Sequence, residues 1–287
     1  MTRPGRIDLA DAHVVVTGGA RGIGRTTVEA FLARGARVSF GDLDPDATAA
    51  TAAQTGASGH HLDVRDRSSY AALVQAATAE HGPVDVLVNN AGAMPNGAFL
   101  DGDEATDAMV IDVNLRGVLH GMRLVLPSMV ERRRGHVVNV ASLAGKFAIP
   151  GLAVYNASKF AVVGLTAATR LEMAPHGVTL TAVLPSAVDT DLASGLDMKP
   201  IPKVPPAAIA AAIVGSVRTR EAEVAVPGYV GALAAASHLV PVPVLDRVRR
   251  LLRDDRALHP DDEQRAAYNR RLQATTHDAP PTGRSTR

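Results

Sequence analysis

Short apolar runs alternate with longer amphipathic stretches through the first two-thirds of the chain. The runs at 13–17, 36–41, 58–63, 84–89, 135–141, 178–184 and 222–226 are predicted strands. Several are apolar at consecutive positions, as in Val14-Val15-Val16 and Val86-Leu87-Val88, which suits strands covered on both faces. The stretches at 22–34, 45–55, 66–81, 103–132, 152–174 and 205–219 carry the helical period. Glycines at Gly35, Gly82, Gly135 and Gly177 stand at or next to predicted strand starts, where a helix ends and the chain reverses. Alternation of this kind predicts an α/β fold: a doubly wound parallel sheet of about seven strands, helices on both faces, ligands at the strand C-termini.

Composition narrows the chemistry. The 287 residues are 46% hydrophobic, ample for a large core, and 30 Lys+Arg against 29 Asp+Glu leave no global field to recruit nucleic acid. With no cysteine, disulfides, thiolate catalysis and cysteine-held metals are excluded. The ten histidines show no metal-ligand spacing, so no metal site is expected; His60-His61 are expected at a strand entrance. The N-terminal residues lack the apolar core of a secretory signal, which makes the cytoplasm the expected location.

Two motifs carry chemistry. Thr17-Gly18-Gly19-Ala20-Arg21-Gly22-Ile23-Gly24 follows the first predicted strand and opens a predicted helix. Its glycines permit a tight turn and close approach to a pyrophosphate, and the helix N-terminus offers unpaired N–H groups to that anion. Tyr155 and Lys159 lie four apart and therefore share one helix face. A phenol has a pKa of about 10, and a fixed cation beside it is expected to favour the phenolate.

Together these elements resemble the short-chain dehydrogenase/reductase family from about Asp8 to about Pro227. The family's glycine turn matches Gly18, Gly22 and Gly24. Its Asn-Asn-Ala-Gly element matches Asn89-Asn90-Ala91-Gly92, its helix asparagine Asn114, its serine Ser142, and Tyr155 stands thirteen residues after that serine. The resemblance implies a Rossmann-like catalytic domain over 8–227, followed by a helical extension over 228–276 and a disordered tail over 277–287. It implies Tyr155 as acid/base, Lys159 as the cation that also holds the nicotinamide ribose, and Ser142 as donor to the substrate oxygen. Asn114, within the helix 103–132, would position a relay water. Asp63 and Val64 would meet adenine, Asp63 equally suiting a helix cap. Asn90, Ala91 and Gly92 would line the cofactor's far side, with Asn89 tying strands together. Pro185, Val188 and Thr190 would hold the nicotinamide, although Ser186 stands where relatives have glycine. Asp42, at the end of the second strand, would accept from the adenosine ribose and repel a 2′-phosphate, favouring NAD. Arg21 argues more weakly for NADP. Asp44-Pro45 suits a helix start better than Asp42 does.

Substrate is the least legible part. Ala193 to Val204 is expected to form a lid, and Met94, Pro95, Phe147, Ile149, Leu152, Leu192, Leu196 and Met198 an apolar pocket. A steroid-, retinoid- or fatty-alcohol-like substrate is expected. Val224 to Leu245 has no charged residue, yet its prolines argue against a membrane span. The basic, apolar Val244 to Arg253 suits a helix over the pocket, a partner subunit or a peripheral membrane contact. Relatives form dimers or tetramers through the two long helices, so a homo-oligomer is expected. A dinucleotide-sensing regulator is the alternative from another class; relatives of that kind usually lose the tyrosine or lysine.

Overall fold

The computed structural model describes residues 7–195, 203–237, 240, 243, 247, 256–258 and 262–277. Seven strands form one parallel sheet: β1 (His13–Thr17), β2 (Arg37–Asp42), β3 (Ser58–His61), β4 (Val86–Asn89), β5 (Gly135–Val140), β6 (Val178–Pro185) and β7 (Glu223–Val226). Their order is β3-β2-β1-β4-β5-β6-β7. The chain therefore winds outward from β1 in one direction and from β4 in the other, and the crevice between β1 and β4 is where ligands bind in such sheets.

Side-chain alternation along the strands builds two cores. Val14, Val16, Val86, Val88 and Val138 face one side with Val28, Phe31, Ile209 and Ile213. Val15, Leu87, Val137 and Leu180 face the other, with Leu73, Met122, Met129 and Val162. The helices α1 (Gly22–Leu32) and α7 (Pro206–Thr219) cover the first side; α3 (Arg67–His81), α5 (Gly117–Glu131) and α6 (Ala153–Met173) cover the second. α2 (Pro45–Thr55) packs near β3 at the edge.

Asn89 ties strands as expected. Its amide donates to Asn139 Oδ1 at 2.8 Å, Tyr70 donates to its Oδ1 at 2.8 Å, and Asn139 donates to Thr166 at 2.9 Å. All four residues are buried, so breaking the chain leaves polar groups without partners. Asn139→Ala is expected to cost about 1–3 kcal/mol, read as a lower urea midpoint at unchanged slope. An unchanged midpoint would contradict this role for the network.

Three expectations need correction. The helix at 103–132 is interrupted: α4 (Glu104–Ile111) passes through a π turn (Asp112–Arg116) before α5 begins. The wider turn accommodates Asn114, whose side chain is held by backbone outside the helix (below), and such π turns often mark functional sites. His60 and His61 close β3 at its C-terminal end rather than entering it. Gly56, at φ 75°, turns the chain out of α2 almost directly into that strand at Ser58, and the strand ends at His61, two residues short of the predicted end. His277 ends a helix, α9 (Asp262–His277); residues 278–287 lie outside the described residues.

After β7 comes α8 (Gly228–Ser237), only 10 residues. Among the described residues no helix is long and apolar enough to cross a membrane. Of the stretch 244–253 only residue 247 is described, so the expected basic helix lies outside the described residues, as do 196–202 of the expected lid. At the far end of that expected segment Val204 pairs with Val188, and its N–H donates to Ala187 O at 2.8 Å.

Candidate active site

The crevice above β1 and β4 opens into a cleft of about 1110 Å³. Its floor is the glycine turn. Gly18 and Gly22 have φ of 64° and 51°, and a Cβ on Gly24 would stand 1.9 Å from Gly18 O. Larger residues therefore cannot build this turn. Asn90 holds it from β4, donating to Thr17 O at 2.9 Å and Gly18 O at 3.0 Å, while Thr17 Oγ1 accepts from the N–H groups of Asn90 and Ala91. Asn90 is thus a brace for the turn as well as part of the cleft wall with Ala91 and Gly92.

Helix α1 differs from its neighbours at the start. Asp44, Asp66 and Asp103 cap α2, α3 and α4 through their carboxylates, whereas Arg21 precedes α1 with no side-chain cap. The first-turn amides of α1 at Gly22, Ile23 and Gly24 lie on the cleft and keep their partial positive charge for an anion. These residues fit a dinucleotide pyrophosphate.

At the far end of this floor, Asp42 accepts from Ala20 N at 3.0 Å and Asp44 N at 3.3 Å. Arg21 turns to Asp44, forming an ion pair at 2.5 Å. The Ala47 N–H and then the Arg21 guanidinium hold the Asp44 carboxyl below its usual range. Asp63 is engaged as well: Arg65 grips it through two nitrogens at 2.7–3.0 Å. Asp66, not Asp63, caps α3. Asp63, Val64 and Arg65 all line the cleft.

The opposite wall carries Ser142, Tyr155 and Lys159. Ser142 caps the short 3-10 turn Leu143–Gly145 by accepting from Ala144 N at 3.1 Å, and its hydroxyl donates to Pro185 O at 3.5 Å. Lys159, 5% exposed, donates to Val140 O at 2.9 Å and stands 5.7 Å from the Tyr155 ring centre. Asn114 lies behind this wall, 1% exposed: it accepts from Ala93 N at 2.8 Å and donates to Ala93 O at 2.9 Å and Ser158 Oγ at 3.0 Å. A Cβ on Gly92 would be 3.4 Å from Asn114 Oδ1 and 3.7 Å from Lys159 Nζ, so the amide and the amine flank one small gap.

The electrostatics differ from the sequence expectation. Burial pushes the Tyr155 phenol up to about 12, with the neighbouring Ser142 hydroxyl opposing and nearby Tyr268 adding. Burial also pulls the Lys159 amine down to about 8. Desolvation therefore outweighs any help the ammonium gives the phenolate. The phenol is the resting form at neutral pH.

The loop after β6 closes the cleft. Pro185, Ser186, Ala187, Val188 and Thr190 all line it, and the Thr190 methyl carbon would be 3.3 Å from a Cβ on Gly22. Ser186 Oγ is buried without a hydrogen-bond partner among the described residues, leaving a polar group for something in the cleft. Met94, Phe147, Ile149, Leu152 and Leu192 line the apolar end as expected; Pro95 is not on the wall, and Leu196 and Met198 lie outside the described residues.

Sequence reasoning missed several residues. Asn156 and Ser158, which lie between Tyr155 and Lys159 in the sequence, are two of them. Asn156 donates to Ala144 O and Phe147 O and accepts from Ile149 N, shaping the loop that carries Ser142. Ser158 links Asn114 to Tyr155 O. Ser158's spacing of three from Tyr155 was the available signal. Tyr268 and Leu272, from α9, also line the cleft, and nothing local in their polar stretch announced it.

A glycine-floored crevice at the switch of a parallel sheet, walled by a serine, a buried tyrosine and a lysine, defines a dinucleotide-fold oxidoreductase acting on CH–OH groups. The model of the short chain dehydrogenase family matches residues 12–200. An uncharacterised oxidoreductase of Staphylococcus saprophyticus is 35% identical over 215 residues, 72% of this chain and 92% of that one. A 3-alpha-(or 20-beta)-hydroxysteroid dehydrogenase of Mycobacterium tuberculosis is 39% identical over 180 residues, 62% of this chain and 69% of that one. The crystal structure of a short chain dehydrogenase/reductase from Burkholderia phymatum in complex with NAD superposes with a TM-score of 0.74 at 26% identity, covering 81% of this chain and 94% of that one. The chain belongs to the short-chain dehydrogenase family.

Proposed function

We propose that the protein interconverts a hydrophobic secondary alcohol and its ketone, with NAD rather than NADP as cofactor. The observation that carries this is the meeting of Ser142, Tyr155 and Lys159 on one wall of a cleft whose floor suits a pyrophosphate. The bound nicotinamide supplies the hydride acceptor in oxidation and the donor in reduction. Tyr155 takes the alcohol proton in oxidation and returns one in reduction. Ser142 donates to the substrate oxygen, where negative charge develops. Lys159 holds the nicotinamide ribose and, through the gap beside Gly92, passes protons to a water held by Asn114. Asp63 and Val64 bound the adenine; Pro185, Val188 and Thr190 hold the carboxamide side.

The apolar substrate end supports a lipid-like alcohol, as does the hydroxysteroid dehydrogenase relative. Asp42 supports NAD because its carboxylate borders the cleft while Arg21 is already paired with Asp44. Replacing Asp42 with alanine is expected to erode the preference for NAD over NADP by about tenfold or more, tenfold being about 1.4 kcal/mol. Initial rates with each cofactor measure this; an unaltered ratio would remove Asp42 from the argument. In domain terms, residues 8–227 form the catalytic unit and 228–276 an extension to it. Exposed Phe160 and Leu171 on α6 support a homo-oligomer built through that helix. A cytoplasmic enzyme, with any membrane contact peripheral and through the extension, fits these features.

The test is NADH formation or consumption across a panel of hydrophobic alcohols and ketones, with both cofactors. Turnover with NAD supports the proposal. Preference for NADP makes the protein an NADP-dependent ketone reductase instead. Absence of turnover, together with NADH-dependent binding to another protein, would favour a dinucleotide sensor.

A further inference from the structure

Helix α9 places a fully buried cation beside the cleft. Arg265 is 0% exposed, and its acceptors among the described residues are all neutral oxygens. It donates to Met94 O and, at 3.0 Å, to Asn96 Oδ1, both in the loop after β4. It also donates to Leu192 O at 2.7 Å and Ser194 O at 3.1 Å, in the loop after β6. One guanidinium fork therefore spans the two loops that flank the substrate end, a geometry a lysine could not reproduce. Four neutral acceptors on one buried fork fix its position between those loops.

Tyr268 sits directly beneath this group. The guanidinium carbon lies 4.4 Å from its ring centre, and its hydroxyl accepts from Met94 N at 2.8 Å. Leu272, one turn further along the helix, shares its face, and both line the cleft. Tyr268 is close enough to Tyr155 to disfavour ionisation of that phenol.

We propose that Arg265, Tyr268 and Leu272 decide which alcohols the enzyme accepts. Arg265 is a positioning residue that fixes the separation of the loops after β4 and β6. Tyr268 and Leu272 are the far wall that limits substrate length. This deepens the alcohol/ketone proposal above and rests on it.

The test uses the full chain and a homologous series from 2-butanol to 2-dodecanol with NAD. Leu272→Trp fills space at the wall and is expected to lower kcat/KM for the longest alcohols by about 10–200-fold, chiefly through KM. The loss for the shortest alcohol should be much smaller, so that the length profile steepens. Arg265→Met should flatten the length profile and speed amide hydrogen exchange in segments 92–97 and 190–195, leaving β1 and β4 protected. Arg265→Lys should not restore either. Tyr268→Phe should speed exchange of the Met94 amide alone. Identical length profiles in Leu272→Trp and wild type would overturn the wall, and unchanged exchange in Arg265→Met would overturn the fixed separation. Should the wild type oxidise no alcohol with either cofactor, the alcohol/ketone proposal fails and takes the wall with it; exchange still decides the role of Arg265.

Discussion

Tyr155→Phe is expected to reduce turnover by about 10²–10⁴-fold, the usual contribution of a positioned acid/base group, with NADH affinity little changed. The substitution removes one oxygen from a buried ring and leaves the ring's packing against Met94, Leu152 and Ala193 intact. Cofactor affinity should survive because the glycine turn and Asp42 lie elsewhere on the cleft. The pH dependence has a definite sign. With burial holding the phenol at about 12, the phenolate fraction grows as pH rises, so oxidation should accelerate from neutral to alkaline pH. Reduction needs the phenol and should stay flat over the same range. Rates on one alcohol–ketone pair in both directions check this. An oxidation rate that falls with rising pH would contradict Tyr155 as the base.

Lys159→Met should have the second-largest effect, cutting oxidation by about 10²-fold or more and raising the KM for NAD. On the proposed mechanism the substitution removes the amine that would hold the nicotinamide ribose and pass protons to the Asn114 water, so oxidation should slow across the pH range. Stability separates this from damage to the fold. The amine's folded pKa is about 8, below its ordinary 10.5, so between those values the unfolded chain binds more protons. Wild-type stability should therefore rise as pH climbs from about 8 to 10.5. The variant should lack that rise and be no less stable at neutral pH, where the buried charge costs most. A variant that melts earlier at neutral pH would show that Lys159 supports the fold instead.

What the sequence disclosed follows from which forces are local. Runs such as Val14-Val15-Val16 define strands covered on both faces, and Gly24 can be read as a tight turn because no other residue fits against Gly18 O. Tyr155 and Lys159 were legible because helix spacing alone puts them together. The sign of the phenol's shift was not, since desolvation depends on everything folded around it, and Tyr268, from far along the chain, adds a smaller electrostatic push in the same direction. The π turn at Asn114 was hidden for a similar reason: its helical period is normal, and Ala93, which grips the side chain, lies 21 residues earlier. Arg265 illustrates the limit. In a polar helix it looks like a solvated cation, yet it is fully buried and donates to two loops far away in sequence.

Hydride transfer from a secondary alcohol beside Tyr155 is the claim on which the rest depends, and isotope tracing tests it most directly. The enzyme is given NAD and a secondary alcohol carrying deuterium on its carbinol carbon, and the reduced cofactor is weighed by mass spectrometry. The expected result is one deuterium in the NADH, with slower turnover than for the unlabelled alcohol and no transfer in Tyr155→Phe above the residual rate. Ketone formed with no deuterium in the cofactor would contradict it.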